Sequence, residues 1–270
     1  MSLTSFLKLS EIRTEFIKQF PMPVINMTGE IRAPPITKHY SMIGTAFDYL
    51  MRFYLEKLNP NSIKGTWIAE LAVASTSAEP KLFNLTNKSL TEAKNYYLDY
   101  IKSGKISEDT LRASILLAQL DPIFRANYID ENIGVVENSD IKDLSNLIGI
   151  VNPNLFKANS VCILNPDFGK ASSLVGGADA DFIIDNTLVD IKTTMKLEFT
   201  RDHYNQLIGY YILSKIGFVK GLSKKSIIFN LGIYYSRYGI LKTIPTKFVE
   251  MNPNFNNFIK WFKNKAKNIC

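Results

Sequence analysis

Asp179, Asp181, Asp190 and Lys192 all fall in the stretch "GGADADFIIDNTLVDIKTT", Gly176 to Thr194. Carboxylates among apolar runs call for a partner, because an unpaired charge is costly to bury. "ADADFII" and "TLVDIKTT" read as two strands of a hairpin turning at Asp185-Asn186, residue types that tolerate the positive φ of a two-residue turn. That pairing sets Phe182 opposite Val189 and Asp181 opposite Asp190. Alternation along the strands then adds Asp179 and Lys192 to the same face, and turns Phe182, Ile184, Val189 and Ile191 to a buried one. Two facing carboxylates destabilise a strand pair. A divalent cation between them reverses that sign, and oxygen ligands favour Mg²⁺ or Mn²⁺. A metal on Asp181 and Asp190 can bind a phosphate oxygen and acidify a water, with Lys192 orienting the water or offsetting charge. The competing reading is a hairpin end at the surface, where Lys192 merely pairs with an aspartate.

The elements that must position these groups follow from periodicity and punctuation. Residues 1–20 read as one helix with an apolar stripe of Phe6, Leu7, Leu9, Ile12, Phe16 and Ile17. Prolines and a glycine then make residues 20–35 a loop with one short strand. Helices are expected over Ser41–Leu58, in "TWIAELAVAS", and throughout Ser89–Ile150, where "SLTEA" and "SEDT" offer serine caps with acidic first turns. Beyond Pro153, "SVCILNPDFG", "ADFIID", "TLVDIKTT", "SIIFNLGIYYS" and "GILKTIP" have the length and β-branched content of strands. The helix "RDHYNQLIGYYILSKIG" interrupts them, with Gly217 expected as its C-cap. A last helix places Phe255, Phe258, Ile259 and Phe262 on one face, with Lys260, Lys263, Lys265 and Lys267 elsewhere.

The 270 residues carry a net charge of +7, which favours a polyanionic partner. The two cysteines, Cys162 and Cys270, form no CxxC pair, so a zinc knuckle or four-cysteine iron–sulfur site is not expected, and a reducing, cytoplasmic setting fits. No apolar run is long enough to span a bilayer, so no membrane partner is expected. Lone histidines such as His39 and His203 are more often structural than ligands. "GFVKGLSKKS" lacks the spacing of a phosphate-binding P-loop.

Asp181 followed by Asp190-Ile191-Lys192 after an apolar strand resembles the PD-(D/E)xK nuclease signature, with Ala180 in place of its proline. Gln206 followed by Tyr210 resembles the QxxxY element of the RecB-like and lambda-exonuclease-like branch, and their spacing of four puts both side chains on one helical face. "GTAFDYLMRF" resembles the first motif of that branch, with Gly44 matched and Asp48 standing where the relatives carry a metal-binding histidine. The resemblance covers about a third of the chain. It implies an α/β fold with a restriction-endonuclease-like core: a mixed central β-sheet flanked by helices, with the site at one edge of the sheet and a helical insertion. On this reading residues 1–270 form a single nuclease domain, and about 80–150 are the insertion. The implied activity is Mg²⁺- or Mn²⁺-dependent hydrolysis of DNA phosphodiesters, with Asp48, Asp181 and Asp190 on the metal and Lys192, Gln206 and Tyr210 completing the site. The iron–sulfur cysteines of some relatives and the motifs of a helicase are absent, so a motor would come from a partner protein. The rivals are a sequence-specific restriction endonuclease, reading DNA through the helical insertion, and a nucleic-acid-binding module without turnover.

Other groups read two ways. Asp179 is an extra ligand or a flanking solvated carboxylate. Asp167 reaches the site from the preceding strand or is a turn residue after Pro166, and Glu56 and Glu70 are further acidic ligands or, more often for such positions, solvated helix residues. Asp48 itself could merely solvate its helix. Arg237 among Tyr234, Tyr235 and Tyr238 is either a phosphate contact with stacking rings or a packed turn tip.

Overall fold

The computed structural model describes residues 1–222 and 227–270. In chain order the helices are α1 (Leu3–Leu7), α2 (Ser10–Gln19), α3 (Tyr40–Leu58), α4 (Ile68–Ser75), α5 (Pro80–Ser103), α6 (Glu108–Ala126), α7 (Asn138–Gly149), α8 (Lys170–Leu174), α9 (Arg201–Ile216), α10 (Lys247–Glu250) and α11 (Phe255–Ile269). The strands are β1 (Ile63–Lys64), β2 (Cys162–Leu164), β3 (Phe182–Ile184), β4 (Thr187–Lys192), β5 (Asn230–Tyr235) and β6 (Ile240–Pro245). They form one mixed six-stranded sheet in sequential order, β1 to β6. β1–β2 and β4–β5 are parallel, and the other neighbours are antiparallel. The chain is thus α/β, with helices on both faces of the sheet.

The hairpin register is the one that alternation demands: Phe182 pairs with Val189, Ile183 with Leu188 and Ile184 with Thr187. Asp185 takes a φ of 51°, and it alone of the two turn residues is left-handed. Its carboxylate accepts backbone N–H bonds from Asn159, Ser160 and Val161 at 2.7 to 3.1 Å. Burial would raise this acid, but those donors outweigh it and hold it at about 2.

Both faces of β3 and β4 are covered. Ile183, Leu188, Leu231 and Ile233 meet Leu207, Ile208 and Tyr211 of α9, with α1, α2 and α11 beyond. Phe16, Phe20 and Phe258 pack edge to face here, with centroids 4.9 Å apart for Phe20–Phe258 and 5.1 Å for Phe16–Phe258, and Phe262 stands edge to face with Phe6. Each such buried ring contributes roughly 2–3 kcal/mol. On the opposite face, Phe182, Ile184, Val189 and Ile191 meet Ile43, Phe47, Leu50 and Met51 of α3. α4, α5 and α6 form a further layer behind α3, closed by Tyr49, Phe53, Tyr97, Leu116 and Leu120. α3 is therefore sandwiched between the sheet and a helical layer, which fixes whatever it presents at the sheet's end.

Several local expectations need correction. Residues 1–20 are two helices, with Leu9 extended between them (φ −59°, ψ 133°), and Ile17 is exposed. No strand forms in residues 20–35; the N–H groups of Arg32 and Ala33 both bond to the Arg237 carbonyl, so that segment is tied to a turn rather than to a ladder. Ser107 does cap α6, but Ser89 is buried inside α5, which starts nine residues earlier at Pro80. β1, a two-residue strand, carries no pattern that sequence reading could detect. Gly217 does not adopt the left-handed cap conformation (φ −106°). A Cβ there would sit 2.2 Å from the Phe168 carbonyl oxygen, so glycine serves close approach of the chain. Part of "GFVKGLSKKS" and the start of "SIIFNLGIYYS" lie outside the described residues.

Candidate active site

The expected groups gather where β3 begins and β4 ends. These are the two middle strands, so the site lies at the end of the sheet's centre and not along an edge strand. A cleft of about 760 Å³ opens there, lined by Asp48, Asp181, Asp190, Lys192, Gln206 and Tyr210 among others. Each comes from a different constraint. Asp190 and Lys192 share a face of β4 by strand alternation; Gln206 and Tyr210 share a face of α9 by the four-residue helical spacing. Thr200 caps α9 with its hydroxyl on the His203 N–H, fixing where that helix starts.

The geometry is closely connected. Lys192 Nζ lies 2.7 Å from Asp190 Oδ2. Lys192 donates to Gln206 Oε1 at 3.0 Å, and Gln206 Nε2 donates to Asp190 Oδ1 at 3.0 Å and to the Tyr210 hydroxyl at 2.9 Å. One amide thus holds the carboxylate, the ammonium and the phenol together. Both Asp190 oxygens are engaged, Oδ1 by the Gln206 amide and Oδ2 by the Lys192 ammonium. Ladder pairing stops at Phe182, and Asp181 folds its side chain toward β4, accepting the Ile191 N–H at 2.5 Å. The facing carboxylates are thereby close without forming a flat cross-strand pair.

Electrostatics report the crowding. Burial, and then Asp190, push the Asp181 carboxyl up to about 7. Burial and Asp181 hold the partly buried Asp48 carboxyl well above its ordinary value. Burial would depress the Lys192 ammonium, but Asp190, Asp181 and Asp48 outweigh it, and the lysine stays charged. Burial and the two aspartates Asp190 and Asp181 raise the Tyr210 phenol, so it acts as a neutral hydrogen-bonding group.

Oxygen donors from Asp48, Asp181 and Asp190 at one cleft, with Asp190 raising the cost of ionising Asp181 and both raising that of Asp48, fit a hard divalent cation. They do not make a closed trio. Among the described residues, the trio whose ligand atoms all lie within 4.8 Å of one another is His39, Glu137 and Asp140. His39 Nδ1 lies 3.1 Å from Asp140 Oδ1. That group sits at the N-termini of α3 and α7 beside Lys38, where two helix dipoles and an ammonium oppose a cation. We read it as a clamp between helix ends.

Other residues fall outside the network. Asp179 lines the cleft, but its carboxylate pairs with Arg125 at 3.2 Å. Asp167 accepts the Gly169 N–H in a turn. Glu56 pairs with Lys64 and accepts from Tyr97, and Glu70 pairs with Lys94 and caps α4, both away from the cleft. Arg237 is 1% exposed and bound to Asp143 at 2.8 Å, so it is a core ion pair and not a phosphate contact. Its partner, 94 residues away, is invisible to local reading. Arg52 went unremarked in the sequence. It stands four residues after Asp48 and lines the same cleft, and helical spacing was the signal that could have found it. No helix among the described residues is long and apolar enough to cross a membrane.

Searches against protein-family models, curated proteins and solved structures return no match to this chain, so its reading rests on its own residues.

Proposed function

We propose that the chain is a metal-dependent nuclease that hydrolyses DNA phosphodiester bonds on a restriction-endonuclease-like core of the RecB-like kind, with the helices of about 80–150 inserted into it. The observation that carries this reading is the Asp190–Lys192–Gln206–Tyr210 network, sharing one cleft with Asp48 and Asp181. Asp48, Asp181 and Asp190 would hold Mg²⁺ or Mn²⁺, which supplies Lewis acidity toward a phosphate oxygen and lowers the pKa of a bound water.

The chain's own side chains would do the rest. Lys192, held charged and aimed by Gln206, donates a hydrogen bond to the attacking water or to the phosphate oxygen that gains charge. Gln206 keeps Asp190 and Lys192 in fixed relation, so neither has to reorganise during the reaction. Tyr210 anchors the Gln206 amide by accepting a hydrogen bond from its Nε2.

The test is incubation of linear, circular and single-stranded DNA with Mg²⁺, Mn²⁺ or EDTA. Metal-dependent cleavage of any of them supports the reading, and intact DNA under every condition overturns it. The circular substrate separates internal cleavage from digestion at ends.

A further inference from the structure

Two arginines face the cleft, and they differ in one respect. Arg125 has its charge engaged: its guanidinium pairs with Asp121 at 3.3 Å and with Asp179 at 3.2 Å. Arg52 has no ion pair among the described residues. It is 6% exposed, and its Nε and Nη1 atoms have no hydrogen-bond partner. Its guanidinium carbon lies 4.5 Å from the centroid of the Tyr49 ring, and the acids Asp48, Asp181 and Asp121 lie near enough to help hold it charged against burial.

Unpartnered guanidinium donors in a buried position are costly, and native proteins place them where a partner arrives. Tyr49 itself is fixed, since its hydroxyl donates to Asp121 and accepts the Ala69 N–H at 3.1 Å. The ring is therefore a rigid shelf that holds Arg52 in place. Thr45, Asp48 and Arg52 follow one another at helical spacing along α3 and all line the cleft. A guanidinium presents a planar fork of donors that matches an anionic phosphate. Carboxylates on the strand wall for a cation and an arginine on the α3 wall for an anion are complementary to a cation–phosphate pair.

We propose that Arg52 is a phosphate-binding residue, donating to a non-bridging oxygen of the phosphodiester seated in this cleft. This rests on the nuclease reading and names a substrate contact within it. The competing role is a purely internal one, in which Arg52 only balances Asp48 and Asp181. The two roles diverge in measurement. A phosphate contact governs affinity for the polyanion. An internal counter-charge governs fold stability and metal affinity, and leaves polyanion affinity alone.

The experiment measures binding of a labelled DNA duplex by fluorescence anisotropy in Ca²⁺, with gels to check that the duplex stays intact, for wild type, Arg52→Gln and Arg52→Lys. Melting with and without Mg²⁺ is recorded for each. Arg52→Gln is expected to weaken duplex binding about tenfold or more. Arg52→Lys should fall between, and the Mg²⁺-induced rise in melting temperature should persist in both. Duplex affinity within twofold of wild type in a folded Arg52→Gln overturns the proposal, as does a loss of affinity matched by loss of the Mg²⁺ response. If Arg52→Gln does not fold, Arg52→Lys decides, because an ammonium lacks the fork; wild-type affinity in that variant contradicts the contact. If wild type neither binds nor cleaves DNA, the nuclease reading has failed, and inorganic phosphate becomes the probe. Phosphate protection of wild type against melting, absent in Arg52→Gln, then supports an oxyanion site at Arg52. No protection of wild type overturns it.

Discussion

Asp190 and Lys192, two residues apart on one face of β4, place carboxylate and ammonium 2.7 Å from each other in the lining of the central cleft. A charged pair so placed leaves each group a distinct task, and substitution separates them. Asp190→Ala is expected to cut metal-dependent cleavage by about a thousandfold or more, since loss of metal Lewis acidity costs several kcal/mol. Relief of its repulsion with Asp181 offsets part of the cost of leaving Lys192 without its partner, and the fold should persist; circular dichroism checks that, and wild-type turnover would remove Asp190 from the metal.

Lys192→Ala should lose turnover while keeping metal-dependent DNA binding, because the three carboxylates remain. Gln206→Leu should have a milder effect of about ten- to a hundredfold, as for groups that orient a metal's ligands. Cleavage rates for both, set beside anisotropy-measured duplex affinity, test the assignment. Equal losses of binding and cleavage in Lys192→Ala would contradict it.

On the proposed reading, Asp48 stands where a RecB-like nuclease would carry a metal-binding histidine. Asp48→Asn should weaken Mg²⁺ binding. Asp48→His should retain activity better with Mn²⁺ than with Mg²⁺, since imidazole suits the softer ion. Calorimetric titration of each metal measures both, and unchanged Mg²⁺ affinity in Asp48→Asn would place that carboxylate outside the centre.

Asp181 carries the pH dependence. Its carboxyl, pushed up to about 7 by burial and by Asp190, binds a proton in the folded chain over a range where the unfolded chain has released it. Stability of the metal-free protein contributed by this group therefore falls as pH rises from about 4 to 7, then levels. Metal affinity moves oppositely, rising through pH 7 as the competing proton leaves. Melting temperatures of wild type minus Asp181→Asn, without metal, should become more negative across that interval; a flat difference would show that the acid is not raised.

Asp185 has the opposite sign. Held at about 2 by its backbone donors, it contributes stability that is present above the ordinary carboxylate range and lost as pH falls toward 2. Asp185→Asn keeps a residue that tolerates the left-handed turn but removes the charge, and should cost about 1–2 kcal/mol at neutral pH. Denaturant unfolding at pH 7 and pH 3 measures this, with the gap narrowing at the lower pH.

The hairpin, and with it the gathering of its polar residues at one end, was legible because strand alternation and a two-residue turn fix a register without distant information. The observed pairs Phe182–Val189 and Ile183–Leu188 are those the spacing requires. Gln206 and Tyr210 were legible for the same reason in helical form. Arg237 was ambiguous because its partner Asp143 sits on α7, far along the chain, and only packing brings them together. The break between α1 and α2 involves no proline or glycine, so local propensity could not announce it. Arg52 was missed because an arginine on an apolar helix reads as solvated until burial shows otherwise.

The central claim is that these carboxylates and Lys192 together hydrolyse DNA with a divalent metal. Its most direct test is cleavage of linear and circular DNA by wild type and Asp190→Ala, purified in parallel, in Mg²⁺, Mn²⁺ and EDTA. The account predicts cleavage by wild type in Mg²⁺ or Mn²⁺, none in EDTA, and none by the variant. Equal cleavage by both proteins, or intact DNA with wild type in every metal, would contradict it.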